Sequence, residues 1–408
     1  MREEISKLQT RNSKWRGRFA RVAVIALAAV PAAPLQFPRD HGAHPDAAVE
    51  WWYYTGHLEA PGGKAYGFQL TFFRVRDLHL AHFAWTDVSR GTFVYDEKTH
   101  LGLPGIAGAA TAGLDVSNED WSVREEKGGA VRLSAGRRDI GDLVLTLTPA
   151  KPPVLHGGGG LSKKGPGENE YSHYVSITRF SAAGTLTRAG KATTLSGTAW
   201  FDHEWGPGAL PAGAAGWDWF ALQLSDGSDL MLYRLRQSGG AASPFSAGTF
   251  VPASGPPRAI AWSDVALAPR STWTSPRSKA TYPAVWSLSV RSLALETTIT
   301  PLVADQELST ERSTGVTYWE GACRVEGTRE GRPISGRAYV EMTGYAGRDV
   351  PGLGSGLQIT LPAAKSAICR PDPTGQAIAT IRVWVSAPEP DCPSASSPCP
   401  WPASPASR

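Results

Sequence analysis

The amino-acid sequence predicts an all-β protein of two tandem antiparallel β-barrels, and three observations support that class. Glycine (44) and proline (32) are abundant among 408 residues, and no long stretch repeats apolar residues at helical spacing. Short runs rich in aromatic and β-branched residues recur between clusters of Gly, Pro, Asp and Ser. A strand pattern also repeats: LSGTAWFDHEWG (195–206) lines up with ISGRAYVEMTGY (334–345), and the rhythm of residues 51–72 resembles that of 318–342. Short strands joined by regular turns favour closed antiparallel barrels, which remove exposed edges.

Taken in order, the chain opens with a leader. Arg2, Lys7, Arg11, Lys14, Arg16, Arg18 and Arg21 precede the apolar run VAVIALAAV (22–30), and Val30-Pro31-Ala32 offers a small-residue cleavage site. Residues 1–32 are therefore expected to be a signal peptide that exports the protein to the periplasm or the medium. Residues 33–48 read as an extended arm. EWWYYTGHLEA, a Pro61-Gly62-Gly63 turn and KAYGFQLTFFRV then give a hairpin signal, followed by HLAHFAWTDV (79–88) and TFVYDE (92–97). Weaker strands around 120–148 lead to LHGGGGLSKKGPGENE (155–170), a loop long enough to form a lid, with Lys163 and Lys164 expected in solvent. YSHYVSITRF, the 195–206 segment and WDWFALQLSDGSDLMLYRLR (217–236), a hairpin about Asp226-Gly227, complete a first domain expected over 40–237. The second is expected over 238–385, and the Pro/Ser-rich tail 386–408 reads as disordered. Past the leader no apolar run reaches the roughly 18 residues of a membrane-spanning helix.

The net charge of +4 belongs to the leader. The chain carries 41 basic and 37 acidic residues, and without the leader's seven and two the balance is 34 to 35. A nucleic-acid surface is excluded on that ground. Cys323, Cys369, Cys392 and Cys399 all lie in the C-terminal quarter without a Cys-x-x-Cys spacing. Export would allow disulfides, of which Cys323–Cys369 with Cys392–Cys399 is one of three pairings.

EWWYYTGHL, GLSKKG…YSHYVSITRF, SGTAWFDHEWG, WDWFALQLSDGSDLMLYRLR and YWEGACRVEG…YVEMTGY together resemble the carotenoid 1,2-hydratase (hydroxyneurosporene synthase) and AttH-like family, from about Asp46 to Tyr345. The resemblance implies two lipocalin-like barrels side by side. It also implies either hydration of an isoprenoid double bond, related cofactor-free chemistry on apolar molecules, or an exported protein working beside an envelope transporter. A His-x-Trp pair and a later Tyr-x-Asp pair are the residues to carry over. His203-Glu204-Trp205 matches the first, whereas Tyr233-Arg234-Leu235 keeps the tyrosine and lacks the acid.

The residues themselves suit that chemistry. Adding water to a C=C bond needs a proton donor, a wall that tolerates a cation, and a placed water. A carboxylic acid in an apolar pocket can stay protonated near neutral pH, and aromatic faces stabilise positive charge. Strand alternation puts His203 with Phe201 and Trp205, and Asp202 and Glu204 with Trp200. His203, Asp202, Glu204 and Tyr233 are thus the candidate catalytic residues, His203 foremost because its counterpart in the repeat is Met342. Trp205, Trp200, Trp217, Trp219, Trp52 and Tyr54 are the candidate ligand wall. The competing reading of Asp202-His203-Glu204 is a buried polar network that ties strands together, in which case Glu341 is architectural too. Glu50 reads as a ligand-facing acid or as an acceptor for indole N–H groups. His79 and His82 fall on opposite faces of one strand, and no ligand set has matched spacing, so neither metal nor cofactor is expected. No G-x-S-x-G occurs to support a serine hydrolase. The expected partner is one apolar isoprenoid- or lipid-like molecule, either transformed or carried, held in the first barrel or at the inter-barrel face; two filled barrels with no such pocket would instead mark a structural module.

Overall fold

The computed structural model describes residues 34–347, Ala209 excepted. The expected leader, the tail and Cys369, Cys392 and Cys399 therefore lie outside the described residues. Two antiparallel sheets carry the chain. The first runs in the order Thr92–Leu101, Leu78–Asp87, Lys64–Val75, Val49–Ala60, Lys191–Gly206, Tyr171–Arg188, Gly141–Pro149, Val131–Arg137, Trp121–Glu125, Asp115–Asn118, Ala107–Ala109. The second runs Arg258–Ala261, Ala247–Val251, Asp229–Gln237, Ala214–Leu224, Arg332–Met342, Thr317–Arg329, Leu295–Pro301, Trp286–Val290, Val265–Pro269.

Each sheet curls back on itself. In the first, Asn118 Nδ2 donates to the His79 carbonyl (3.1 Å) and Lys98 pairs with Glu119 (2.9 Å), so side chains close the seam. In the second, a single 3₁₀ turn, Trp262–Asp264, joins the two edge strands directly. The result is the all-β pair of barrels the sequence predicts. Each barrel encloses its own apolar core, which leaves the face between them, the second of the two expected places, for a ligand. Trp52, Tyr54, Phe68, Leu145 and Phe201 belong to the first core, and Phe220, Leu232, Trp286, Ile299 and Val340 to the second. Among the described residues no helix is long and apolar enough to cross a membrane.

The sequence misplaces the division between the barrels. Ala214–Leu224 and Asp229–Gln237 pair within the second sheet, so the crossing falls between Gly206 and Ala214, ahead of the expected boundary at 237. The second repeat pairing is corrected for the same reason. Val49–Ala60 with Lys64–Val75 occupies the sheet position that Ala214–Leu224 with Asp229–Gln237 occupies in the other half. The hairpin of 318–342 instead matches Tyr171–Arg188 with Lys191–Gly206. The rhythm of residues 51–72 misled because every two-faced hairpin shares it. The arm is not simply extended either: it holds a 3₁₀ turn, Arg39–His41, and Trp52 Nε1 donates to the His41 carbonyl (2.9 Å).

The two sheets pack closely face to face. A Cβ added to Gly67 would lie 2.6 Å from Ala322 Cβ, so glycine is required at that approach. A β-bulge between Ile177 and Phe180 turns Thr178 and Arg179 outward, and both bond Asp229 of the other sheet (2.8 and 2.6 Å). Cys323 is buried in the second core with its thiol 3.6 Å from the Gly321 carbonyl.

Candidate functional site

Alternation along Lys191–Gly206 sends its side chains to two separate places. Phe201 and His203 enter the first core, where His203 stacks on Trp52 with ring centres 5.0 Å apart. Trp200, Asp202 and Glu204 face the second sheet. Arg332–Met342 mirrors this arrangement: Val340 and Met342 fill the second core, while Tyr339 and Glu341 face the first sheet.

Between the sheets lies an apolar cavity of about 160 Å³. Trp51, Tyr53, Phe73 and Tyr174 wall it from one side, and Trp217, Trp219, Tyr233 and Tyr318 from the other. A cavity of about 150 Å³ holds one benzene ring, so this one seats the reacting part of a ligand and not a long chain. Of the expected residues, Asp202, Glu204, Tyr233, Trp217 and Trp219 are brought together here. His203, Trp52 and Tyr54 are not, because they point to the opposite face of their strands and pack in the first core. Trp205 leaves the wall to stack flat on His44 (3.9 Å), and Trp200 stands behind it, donating Nε1 to Asp202 Oδ1 (2.7 Å). Leu235 lines the cavity at the position where the resemblance implies an acid.

Four carboxyls reach this cavity. Asp202 accepts hydrogen bonds from Tyr174 (2.6 Å), Trp200 and Ser176, yet burial outweighs them and raises its pKa to about 7. Glu341 is pushed up to about 8 by burial, with the charges of Glu204 and Asp202 adding to it. Glu320, its partner in strand register, is raised well above the usual range by burial and by Glu341. Oε1 of Glu320, Oε1 of Gln69 and the Tyr53 hydroxyl are buried without a hydrogen-bond partner among the described residues. Glu204 differs. It accepts from Ser172 and pairs with Lys164 Nζ at 3.2 Å.

Lys164 is half-buried, its side chain 13% exposed, and contrary to expectation it sits between the rings of Tyr233 (4.3 Å) and Tyr174 (5.1 Å). Burial opposes its charge, but Glu204 and Tyr233 outweigh that and raise its pKa. It follows Leu161–Lys163, a short strand paired with Tyr171–Arg188, so part of the glycine-rich loop is sheet. Within that strand Ser162 donates or accepts at the Tyr233 hydroxyl (3.0 Å), while Leu161 is exposed. Sequence reasoning missed Lys164, Glu320, Tyr174, Trp51 and Tyr53. Glu341 alone carried a usable signal, its alignment with Asp202 in the repeat.

Glu50 serves neither of its expected uses. It pairs with Arg74 (2.9 Å), His44 (2.8 Å) and His203 (3.0 Å), and the bonds from His203 and His44 hold it at about 2 despite burial. The three ligand atoms of His44, Glu50 and His203 lie within 4.8 Å of one another, so the fold assembles a ligand set that spacing did not reveal.

Two curled antiparallel sheets with filled cores and a shared cavity define a tandem lipocalin-like protein. The model of the AttH-like family matches residues 28–345, and the chain belongs to that family. Among solved structures, the chain is similar to an AttH from Nitrosomonas europaea at 38% identity and a TM-score of 0.71, over 78% of this chain and 98% of that one. It is also similar in fold to kievitone hydratase from Nectria haematococca, at 17% identity and a TM-score of 0.63 over 76% and 93% of the two chains. A search of the curated proteins gives no match.

Proposed function

We propose that the protein adds water across a C=C bond of an apolar isoprenoid- or lipid-like molecule held between its two sheets, by acid catalysis without a cofactor. One observation supports this above the others: an aromatic cavity contains carboxyls that burial keeps protonated near neutral pH, Glu341 foremost. The likeness to kievitone hydratase concerns the fold; the argument for water addition rests on the cavity.

In the proposed reaction the π pair of the alkene takes the proton of the Glu341 carboxyl, leaving a cation on the more substituted carbon. The faces of Trp217, Trp219 and Tyr233 stabilise that charge. Water then bonds to the carbon and loses a proton to Asp202, whose pKa of about 7 leaves much of it ionised at neutral pH. Tyr174 and Trp200 hold that carboxylate in place. The proton gained by Asp202 balances the one lost by Glu341, so the sum is one water added. Lys164 with Glu204 closes the cavity from the loop side.

The test is incubation of the purified chain with a panel of acyclic isoprenoids and unsaturated lipids in ¹⁸O-labelled water, read by mass spectrometry. A product heavier by one labelled water, lost in Glu341→Gln while the ligand is still retained, is the expected result. Retention without conversion in the wild type would mean a carrier, and refusal of every ligand a structural module. The proposal extends to location: the layout of residues 1–32 supports export, and N-terminal sequencing of the chain recovered from its host tests it.

A further inference from the structure

We propose that His44, Glu50 and His203 form a binding site for a divalent transition-metal cation of the zinc class, which fastens the N-terminal arm to the first barrel. Theirs is the one group of this kind among the described residues, and it stands on the face of Lys191–Gly206 opposite the cavity. It is therefore independent of the hydration reading. Two imidazole nitrogens and one carboxylate oxygen are a donor set suited to zinc and its neighbours.

Hydrogen bonding alone leaves His203 in conflict. A neutral imidazole has a single N–H. Nε2 of His203 lies 3.0 Å from Glu50 Oε1, an acceptor. With the proton on Nε2, the buried Nδ1 has no hydrogen-bond partner. With the proton on Nδ1, two lone pairs face each other across the 3.0 Å to Glu50. A cation between Nε2 and Oε1 removes that repulsion.

The surroundings are those of a held ligand set. Arg74 grips Glu50 Oε2 through Nε (3.1 Å) and Nη2 (2.9 Å), which turns Oε1 toward both imidazoles. Behind His44, Nε2 lies 3.8 Å from Asp40 Oδ1, a carboxylate placed to orient the ring. The His44 side chain is 23% exposed, which leaves an entry path and room for water as fourth ligand.

The experiment strips the full chain with a chelator, adds Co²⁺ and then Zn²⁺, and reads bound metal, the cobalt d–d spectrum and Tm. The expected result is one equivalent of Co²⁺ with the spectrum of a four- or five-coordinate N/O site, displaced by Zn²⁺, and a higher Tm for the loaded chain. His44→Ala, on the arm and partly exposed, should weaken binding at least about tenfold and remove the rise in Tm that the wild type shows on loading. His203→Gln should abolish binding. No bound metal, or binding indifferent to both substitutions, overturns the proposal. So does a ¹⁵N NMR signal showing His203 as imidazolium at neutral pH, since that resolves the conflict without a cation.

Discussion

Lys191–Gly206 and Arg332–Met342 hold equivalent places in the two sheets and solve one problem differently. Both send an acid into the shared cavity, Asp202 from one side and Glu341 from the other. Inward, the second strand places Met342, which needs no partner, whereas the first places His203 and must surround it with Glu50, His44 and Arg74. The acid position is thus common to both halves and belongs to the cavity, while the inward ion clusters differ: the first is built on Glu50 around His203, the second on Asp218, which lies opposite Met342 and pairs with Arg234 (2.7 Å) and Arg236 (3.3 Å). A buried ion network is a poor source of stability in itself, so its presence asks for another reason.

Breaking the network tests that contrast most severely. Glu50→Ala leaves Arg74 without its carboxylate and His203 without an acceptor, and should cost about 3–5 kcal/mol in chemical denaturation. A loss under about 1 kcal/mol would mean that the network contributes no more than an exposed ion pair.

The next effect is on pH dependence. Asp202 and Glu341 keep their protons in the folded chain up to about 7 and about 8, against ordinary values of 3.8 and 4.5. Over that interval the folded state binds more protons, so stability should fall as pH rises. Glu50 works in the opposite sense, its contribution being lost only as pH drops from near 4.5 toward about 2. Denaturation midpoints of Asp202→Asn combined with Glu341→Gln should therefore show a flatter slope above pH 5. An unchanged slope would mean that neither acid is protonated in the cavity.

Smaller again is His203→Met, which rewrites the first strand as the second. Glu50 keeps Arg74 and His44, so the expected loss in the metal-free chain is about 1–2 kcal/mol by thermal unfolding. Least of all is Arg337→Ala. Its exposed pair with Glu59 joins the two sheets and should contribute no more than about 1 kcal/mol.

Much of the architecture was legible because it is periodic. Alternation around His203 correctly separated Phe201 and His203 from Asp202 and Glu204, and glycines 62, 63 and 227 marked turns whose positive φ only glycine adopts readily. The site was half legible. Repeat alignment put Glu341 beside Asp202, yet nothing local tells which face of a two-faced strand meets a cavity and which meets a core. That choice sent attention to His203, Trp52 and Tyr54 and away from Trp51 and Tyr53. Lys164 was misread because a lysine in a glycine-rich loop is ordinarily solvated; only folding brings it between Tyr174 and Tyr233. The division at 237 failed because a hairpin that begins one barrel looks like a hairpin that ends another.

The cavity that neither barrel contains by itself has a consequence for the order in which the molecule is made. On a ribosome the half bearing Asp202, Trp51 and Tyr53 emerges complete while Glu320 and Glu341 are still untranslated. Until Arg332–Met342, the last strand among the described residues, inserts between Ala214–Leu224 and Thr317–Arg329, the nascent chain presents one uncovered aromatic wall to water. Such a chain asks for shelter during synthesis, and any truncation before Met342 leaves half a site and a sticky face.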